Sequence, residues 1–296
     1  MLLLHAEAAY RERVRPHGRV VEVPEPGPAD HVCWAYDDAR ELAATAADFL
    51  EGGLARGERL LVVGDGMIEA LNRNTRPFGG TAALLDTGAL EILDVGAAYV
   101  GGAQFAPEQQ LAFYEDATRK ALDDGFNGLR VVAEISALAA DPESRADLVR
   151  WEHLADDLVA RGSGFTAMCA YRADLDGEAL ADVAAVHPLV HGPEGVPPFQ
   201  VFLDTDRLVL TGSVDTFTAP RLARVLTHSP AARPSTVLDL GRLEFLDVAG
   251  CRVLARWAAT LGGPLHVIGA SRLVQRMWLL LGFQAAAPVV FDGSPA

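Results

Sequence analysis

Lysine is almost missing from this chain. It occurs once in 296 residues, at Lys120, and arginine carries nearly all the positive charge. Acids outnumber bases 40 to 25, and the excess is uneven. Residues 199–296 hold nine Arg against seven Asp plus Glu, a net +2, which leaves −17 on 1–198. So acidic an N-terminal part repels phosphate backbones and anionic headgroups, which argues against nucleic-acid and membrane partners. Cysteine is sparse as well. Cys33, Cys169 and Cys251 are an odd number set far apart, so no disulfide framework is expected and a reducing cytoplasm fits best. Long apolar runs are also lacking. "MLLLHAEAAYRER" is too short a run for a signal peptide, and no stretch approaches 18 uncharged apolar residues. Neither export nor a membrane span is expected. Internal repeats and low-complexity tracts are absent.

Half of the chain is apolar, enough for a sizeable core, and the length suits about two domains. "HPLVHGPEGVPP" (187–198) gathers four Pro and two Gly between periodic segments. Proline removes donors and glycine interrupts regular structure, so this stretch is expected to link a domain 1–186 to a domain 199–296.

In the first part strands and helices alternate. "HVCWAY" (31–36), 58–64, 89–95, 129–136 and 165–171 are short apolar strands. Between the first two, Leu42, Ala46, Phe49, Leu50 and Gly53 recur on one face at the helical period. Helices are also expected around "PEQQLAFYEDATRKALDDG" and "DLVRWEHLADDLVARG". Apolar strands alternating with helices predict a mostly parallel sheet covered on both faces. In the second part the order is strand, strand, helix, strand, helix, strand, helix, a smaller α/β domain. Its strands are "QVFLD", "RLVLTGSV", "STVLDLGRL" and "PLHVIGA"; its second helix carries the stripe Val253, Leu254, Trp257, Ala258, Leu261, and its third ends at Gly282.

Residues 199–292 carry a resemblance. "LTGSVDTFTAPRLARVL", "VLDLGRLEFLDVAG" and "RLVQRMWLLLGF" resemble, in order and spacing, the STAS domain of anti-sigma-factor antagonists. The resemblance implies docking to an anti-sigma factor kinase, switched off when that kinase phosphorylates a Ser immediately before the Gly that opens the second helix. Here the turn reads Asp247-Val248-Ala249-Gly250. Asp247 stands where an N-cap accepts free N–H groups, and a phosphate in the first turn would feel the helix dipole. Neither Val248 nor Ala249 can accept a phosphoryl group, so kinase control at this position is not expected. Asp215 and Thr216, in the preceding turn, are expected to share the partner surface, and Thr218 reads as the N-cap of the helix at Ala219. "MWLLLGF" holds more apolar residues than one helix face needs, so Trp278, Leu279 or Leu280 would cover the other domain or a second protomer of a homodimer.

"DHVCWAYDD", "GLARGERLLVVGDG", "GFNGLRVVAEISAL", "RWEHLADDLVARG" and "AMCAYRAD" together resemble the MEDS domain, a sensory domain of methanogen and methylotroph regulators, over about residues 25–180. The resemblance implies sensing of a small organic molecule and a RecA-like layout. A P-loop would need glycines and a lysine after the first strand. The turn there, "YDDAREL", has neither, and Asp37 and Asp38 would repel a triphosphate.

His31, Cys33, Tyr36, Glu134, Glu152, Cys169 and Tyr171 are the polar residues singled out as ligand-binding, at strand ends or on one helix, where open α/β sheets bind ligands. Alternation puts His31 and Cys33 on one strand face and Trp34 and Tyr36 on the other. His31, Cys33 and Cys169 would be three soft metal ligands, but no C-x-x-C or H-x-x-x-H pair accompanies them, and buried Cys ordinarily behaves as a small apolar residue. No metal, cofactor or catalytic residue is expected. Glu152 reads by default as a solvated helix Glu, and His187 and His191 flank the linker prolines at uninformative spacing.

The expected function is a non-enzymatic cytoplasmic signalling regulator, its sensory domain coupled to a domain that docks an anti-sigma-factor-type or other regulatory protein. The alternatives are a nucleotide-binding protein or enzyme using a degenerate RecA-like crevice, and a purely structural docking protein.

Overall fold

The computed structural model describes residues 14–28, 30–67, 71, 81–99, 105–193, 197–230, 236–286 and 288–292. The chain divides into two compact units, Gly18–Pro197 and Pro198–Ala296 with Met1–His17.

The first unit is a seven-stranded sheet in the order β1-β7-β2-β6-β5-β3-β4. The strands are β1 (Gly18–Arg19), β2 (His31–Tyr36), β3 (Arg59–Val63), β4 (Leu90–Leu93), β5 (Leu129–Glu134), β6 (Phe165–Arg172) and β7 (Leu189–His191). Every pairing is parallel. Strands buried on both faces are mostly apolar for that reason, and all six residues of β2 are buried. On one face Cys33, Ala35, Val131, Ala133, Cys169 and Tyr171 pack under helices α4 (Pro107–Asp123), α6 (Pro142–Ala160) and α7 (Gly177–Ala184). On the other, Val32, Trp34, Val62, Val132 and Met168 meet Leu42, Ala46, Phe49 and Leu50 of α1 (Ala39–Ala55), the stripe expected from sequence. Short helices α2 (Thr81–Asp86), α3 (Val95–Ala98) and α5 (Ser136–Ala140) also belong to the unit among the described residues.

A buried ion cluster anchors the amino ends of the central strands. Arg130, fully buried, donates to Glu58 (2.6 Å), Asp30 (3.1 Å) and the Gly27 carbonyl (3.2 Å), and its guanidinium lies 4.4 Å over the Phe49 ring. Gly53 makes room for it: a Cβ there would come within 2.7 Å of Arg130 Cδ.

The Pro/Gly stretch differs from the linker expected over 187–198. Its first half belongs to the sheet, with β7 paired to both β1 and β2 (Gly18↔Leu189, Val32↔Leu189). Pro188 lies just before the paired residues, so its missing N–H costs no ladder bond, and its carbonyl accepts from Gly18 N at 2.7 Å. Residues 194–196 lie outside the described residues.

The second unit is a mixed sheet. β8 (Phe199–Asp204) runs antiparallel to β9 (Arg207–Val214), and the order β11-β9-β10-β12-β13 is otherwise parallel, with β10 (Val237–Asp239), β11 (Leu243–Leu246), β12 (Leu265–Ile268) and β13 (Val289–Phe291). Its helices are α8 (Ala219–Thr227), α9 (Val248–Ala258) and α10 (Arg272–Leu280). "STVLDLGRL" was expected as one strand but splits into β10 and β11, because Asp239 Oδ1 accepts the Gly241 N–H (2.8 Å) and turns the chain. Gly282 adopts φ +72° after α10, as a helix C-terminus favours. Trp278 corrects an expectation: it is buried within its own unit, against Phe283 and Phe291. Leu279 and Leu280 are exposed.

Candidate functional sites

The first unit buries a polar cluster beneath its sheet. His31 opens β2, and Cys169 and Tyr171 lie on one face of the adjacent β6. Glu152 and Asp156 stand one turn apart on α6, so both carboxylates meet that face. His187 follows α7 and precedes β7. All six are buried, Glu152, His31, Asp156 and His187 completely.

Glu152 is the hub. Its Oε1 accepts the Tyr171 hydroxyl. Its Oε2 lies 3.2 Å from Cys169 Sγ, 3.3 Å from His31 Nε2 and 3.3 Å from His187 Nε2. Cys169 Sγ is 3.8 Å from His31 Nε2, and the two imidazole rings lie 4.2 Å apart between centroids. The outer nitrogen of each ring is held. His31 Nδ1 faces Asp156 Oδ1 at 2.9 Å, and His187 Nδ1 faces the Val183 carbonyl at 2.8 Å. A carbonyl can only accept, so His187 Nδ1 carries a proton, and this aims its Nε2 at the cluster.

Charge follows from this geometry. Burial works against ionised Glu152, but His187 and His31 outweigh it and hold the carboxyl well below its ordinary range. Burial also opposes a charged His31, yet its contacts with Asp156 and Glu152 raise its pKa. His187 is lowered, by burial and then by the charge on His31. The Cys169 and Tyr171 protons are held tightly, first by burial and then by Glu152. Glu152 is thus held as a carboxylate between two buried imidazoles.

Four of the seven residues proposed from sequence, His31, Glu152, Cys169 and Tyr171, come together here. Cys33 borders the cluster from the neighbouring strand, in register with Cys169, its thiol pushed up by burial and then Glu152. Tyr36 and Glu134 form a separate pair at the carboxyl ends of β2 and β5: the Tyr36 hydroxyl donates to Glu134 Oε1 at 3.1 Å, and burial first, then Glu134, pushes the phenol up to about 12. Glu152 is not the solvated residue expected, because the sheet, α4 and α7 all pack around α6. Asp156 and His187 were missed. The four-residue spacing of Glu152 and Asp156 could have signalled the first; His187 was hidden among linker prolines. The crevice turn carries no free phosphate cradle, since Asp38 itself accepts the first-turn N–H groups of Arg40 (2.8 Å) and Glu41 (2.9 Å).

The second unit presents a different kind of site. Asp247 caps α9, accepting Gly250 N at 2.9 Å, and its other oxygen accepts the Thr216 hydroxyl at 3.0 Å. That bond ties the β9–α8 turn to the β11–α9 turn. Thr218 occupies the N-cap position of α8 without capping it; Asp215 Oδ1 accepts Phe217 N and Thr218 N instead, both at 2.9 Å. Gly250 is required, because a Cβ there would clash with Leu246 and reach Val214 Cγ1 at 3.0 Å. Apolar side chains stand out around these turns: Phe217 is 90% exposed, Phe245 52% and Val248 39%. Ala249 lies half-buried in the first turn of α9. A groove is lined by Phe245 and Leu246 of β11 and by Ser271 and Val274 at the start of α10.

A buried polar cluster in a parallel α/β domain, joined to a small mixed-sheet domain with an exposed capped turn, describes a two-domain α/β protein. The chain belongs to the MEDS family, described as the methanogen/methylotroph, DcmR sensory domain, whose model matches residues 30–188. Residues 202–290 match the model described as "Mlab, STAS domain". Such a pairing is that of a signalling regulator. A solved structure, an anti-sigma factor antagonist from Mycobacterium paratuberculosis, is 26% identical over 31% of this chain and 82% of its own, with a TM-score of 0.25. Among curated proteins no match was found. No helix among the described residues is long and apolar enough to cross a membrane.

Proposed function

We propose that the chain is a non-enzymatic cytoplasmic regulator whose STAS domain docks a regulatory protein of the anti-sigma-factor-kinase type. Docking uses Asp215, Thr216, Asp247, Val248, Ala249 and Gly250, and is not switched by phosphorylation at residue 249. The observation that carries the reading is the exposed apolar rim of Phe217, Phe245 and Val248 around two turns locked together by the Thr216–Asp247 bond. Large apolar side chains displayed on a rigid turn mark an interaction surface. In this reading the sensory ligand acts on the cluster of His31, Cys33, Glu152, Cys169 and Tyr171, with Tyr36 and Glu134 as a second polar pair at the strand ends. A signal passes only if the sensed ligand binds two states of the chain unequally.

The test is calorimetric titration of the full-length chain with anti-sigma-factor-type kinases of its own organism. Binding by the wild-type chain, weakened in Phe217→Asp, supports the reading. Absence of binding to any such kinase refutes the partner class. Nucleotide binding as the alternative is disfavoured by the Asp38 carboxylate seated on the N–H groups a phosphate would use.

A further inference from the structure

We propose that His31 Nε2, Glu152 Oε2, Cys169 Sγ and His187 Nε2 form a closed four-ligand site for a divalent transition metal, with zinc the best fit. The inference concerns the same cluster that carries the sensory reading, and its test reads metal rather than docking, so the two can fail separately.

Geometry supports it first. The four donor atoms all lie within 4.8 Å of one another and are fully buried. Zinc bonds of ordinary length to N, O and S imply tetrahedral edges of about 3.3–3.7 Å. Four of the six edges are 3.2 Å for S–O, 3.3 Å for both N–O pairs and 3.8 Å from Cys169 Sγ to His31 Nε2, and the other two are no longer than 4.8 Å.

Outer contacts support it independently. A metal-binding histidine ordinarily donates its other N–H to a carboxylate or carbonyl, which fixes the tautomer and aims the lone pair. Asp156 holds His31 and the Val183 carbonyl holds His187 in that manner. Tyr171 occupies Glu152 Oε1 and leaves Oε2 for the cation. His187 Nε2 also faces Oε2, at 3.3 Å, so both imidazoles converge on the oxygen that would hold the cation.

The donor set selects the metal. Two imidazoles, a thiolate and one carboxylate oxygen suit zinc or cobalt; calcium and magnesium require six or more oxygens. On loading, the thiol proton of Cys169, and any proton on the Nε2 of His31 or His187, leaves to solvent. Neutral imidazoles with one thiolate and one carboxylate then balance the divalent charge. Four protein ligands leave no open position, so the site is structural or regulatory and not hydrolytic.

The experiment strips the full-length chain with a chelator under reducing conditions and titrates it with cobalt, then zinc. The expected result is one cobalt per chain, with a near-ultraviolet thiolate-to-cobalt charge-transfer band and the intense visible bands of tetrahedral cobalt, all abolished by zinc. Cys169→Ser should lose the charge-transfer band and Cys33→Ser should keep it. Asp156→Asn should weaken cobalt binding about 10- to 100-fold. A stripped chain that is folded by circular dichroism yet binds no cobalt overturns the proposal. So does a thiolate band that survives Cys169→Ser. Wild-type uptake decides the matter by itself if a variant fails to fold.

Discussion

The two domains invert the ordinary distribution of residues in opposite senses. The MEDS domain hides polar chemistry, with His31, Glu152, Asp156 and His187 at zero exposure. The STAS domain displays apolar surface, with Phe217 the most exposed of its large apolar side chains among the described residues. Burying a carboxylate and two imidazoles costs free energy unless each finds partners, and exposing Phe and Val leaves apolar area in water. Neither arrangement helps the fold by itself, and each is what its role requires. A buried cluster can respond only to something small enough to enter or to a change in its own protons or ligands. An exposed rim can respond to another protein. In the proposed reading, input and output are thereby separated by chemistry as well as by sequence.

The largest effect that sharpens the contrast is expected at Glu152. Glu152→Ala removes the carboxylate on which Tyr171, Cys169 and His31 converge, and should cost about 3–5 kcal/mol in denaturant unfolding, as loss of one partner from a buried charge pair does. A cost below about 1 kcal/mol would mean that the cluster relaxes or hydrates easily. Phe217→Asp should do the reverse. Unfolding free energy should stay within about 0.5 kcal/mol of wild type, while docking weakens by at least about 2 kcal/mol, roughly 30-fold. A destabilised fold with unchanged docking would break the comparison. Asp247→Ala should lie between these extremes, at about 1 kcal/mol for loss of an N-cap, measured by thermal melting.

The smallest effect is a pH dependence. The N–H groups of Thr218 and Phe217 hold the Asp215 carboxyl below its ordinary value. Its stabilising contribution is therefore fully present above the usual aspartate range and is lost as pH falls through the lowered value. Asp215→Asn should flatten that part of the acid-unfolding curve.

Much of the fold was legible. Apolar runs marked the β2, β5 and β6 strands, and the Leu42–Gly53 stripe marked the buried face of α1. The site was legible in part. His31, Cys169 and Tyr171 stand out because polar groups on apolar strands are unusual, but their grouping depends on β2 lying beside β6, a register that local sequence does not encode. Glu152 looked solvated because α6 also carries His153, Asp156 and Asp157, so polarity surrounds it in sequence while the sheet and two helices surround it in space. His187 was masked by Pro188 and the prolines that follow. These read as a linker although only residues after β7 leave the sheet. In the STAS domain the Asp247 cap was legible because it depends on neighbours three residues away. The Thr216–Asp247 bond spans 31 positions and was not.

The most direct test of the account is the affinity of the full-length chain for an anti-sigma-factor-type kinase, measured with and without magnesium ATP and compared with Ala249→Ser. Wild-type affinity should be the same in both conditions, and Ala249→Ser should bind as wild type until ATP is added and then dissociate with phosphate on the substituted residue. Loss of wild-type binding on addition of ATP, with phosphate recovered on Thr216 or another hydroxyl of the docking face, would contradict a docking surface free of kinase control.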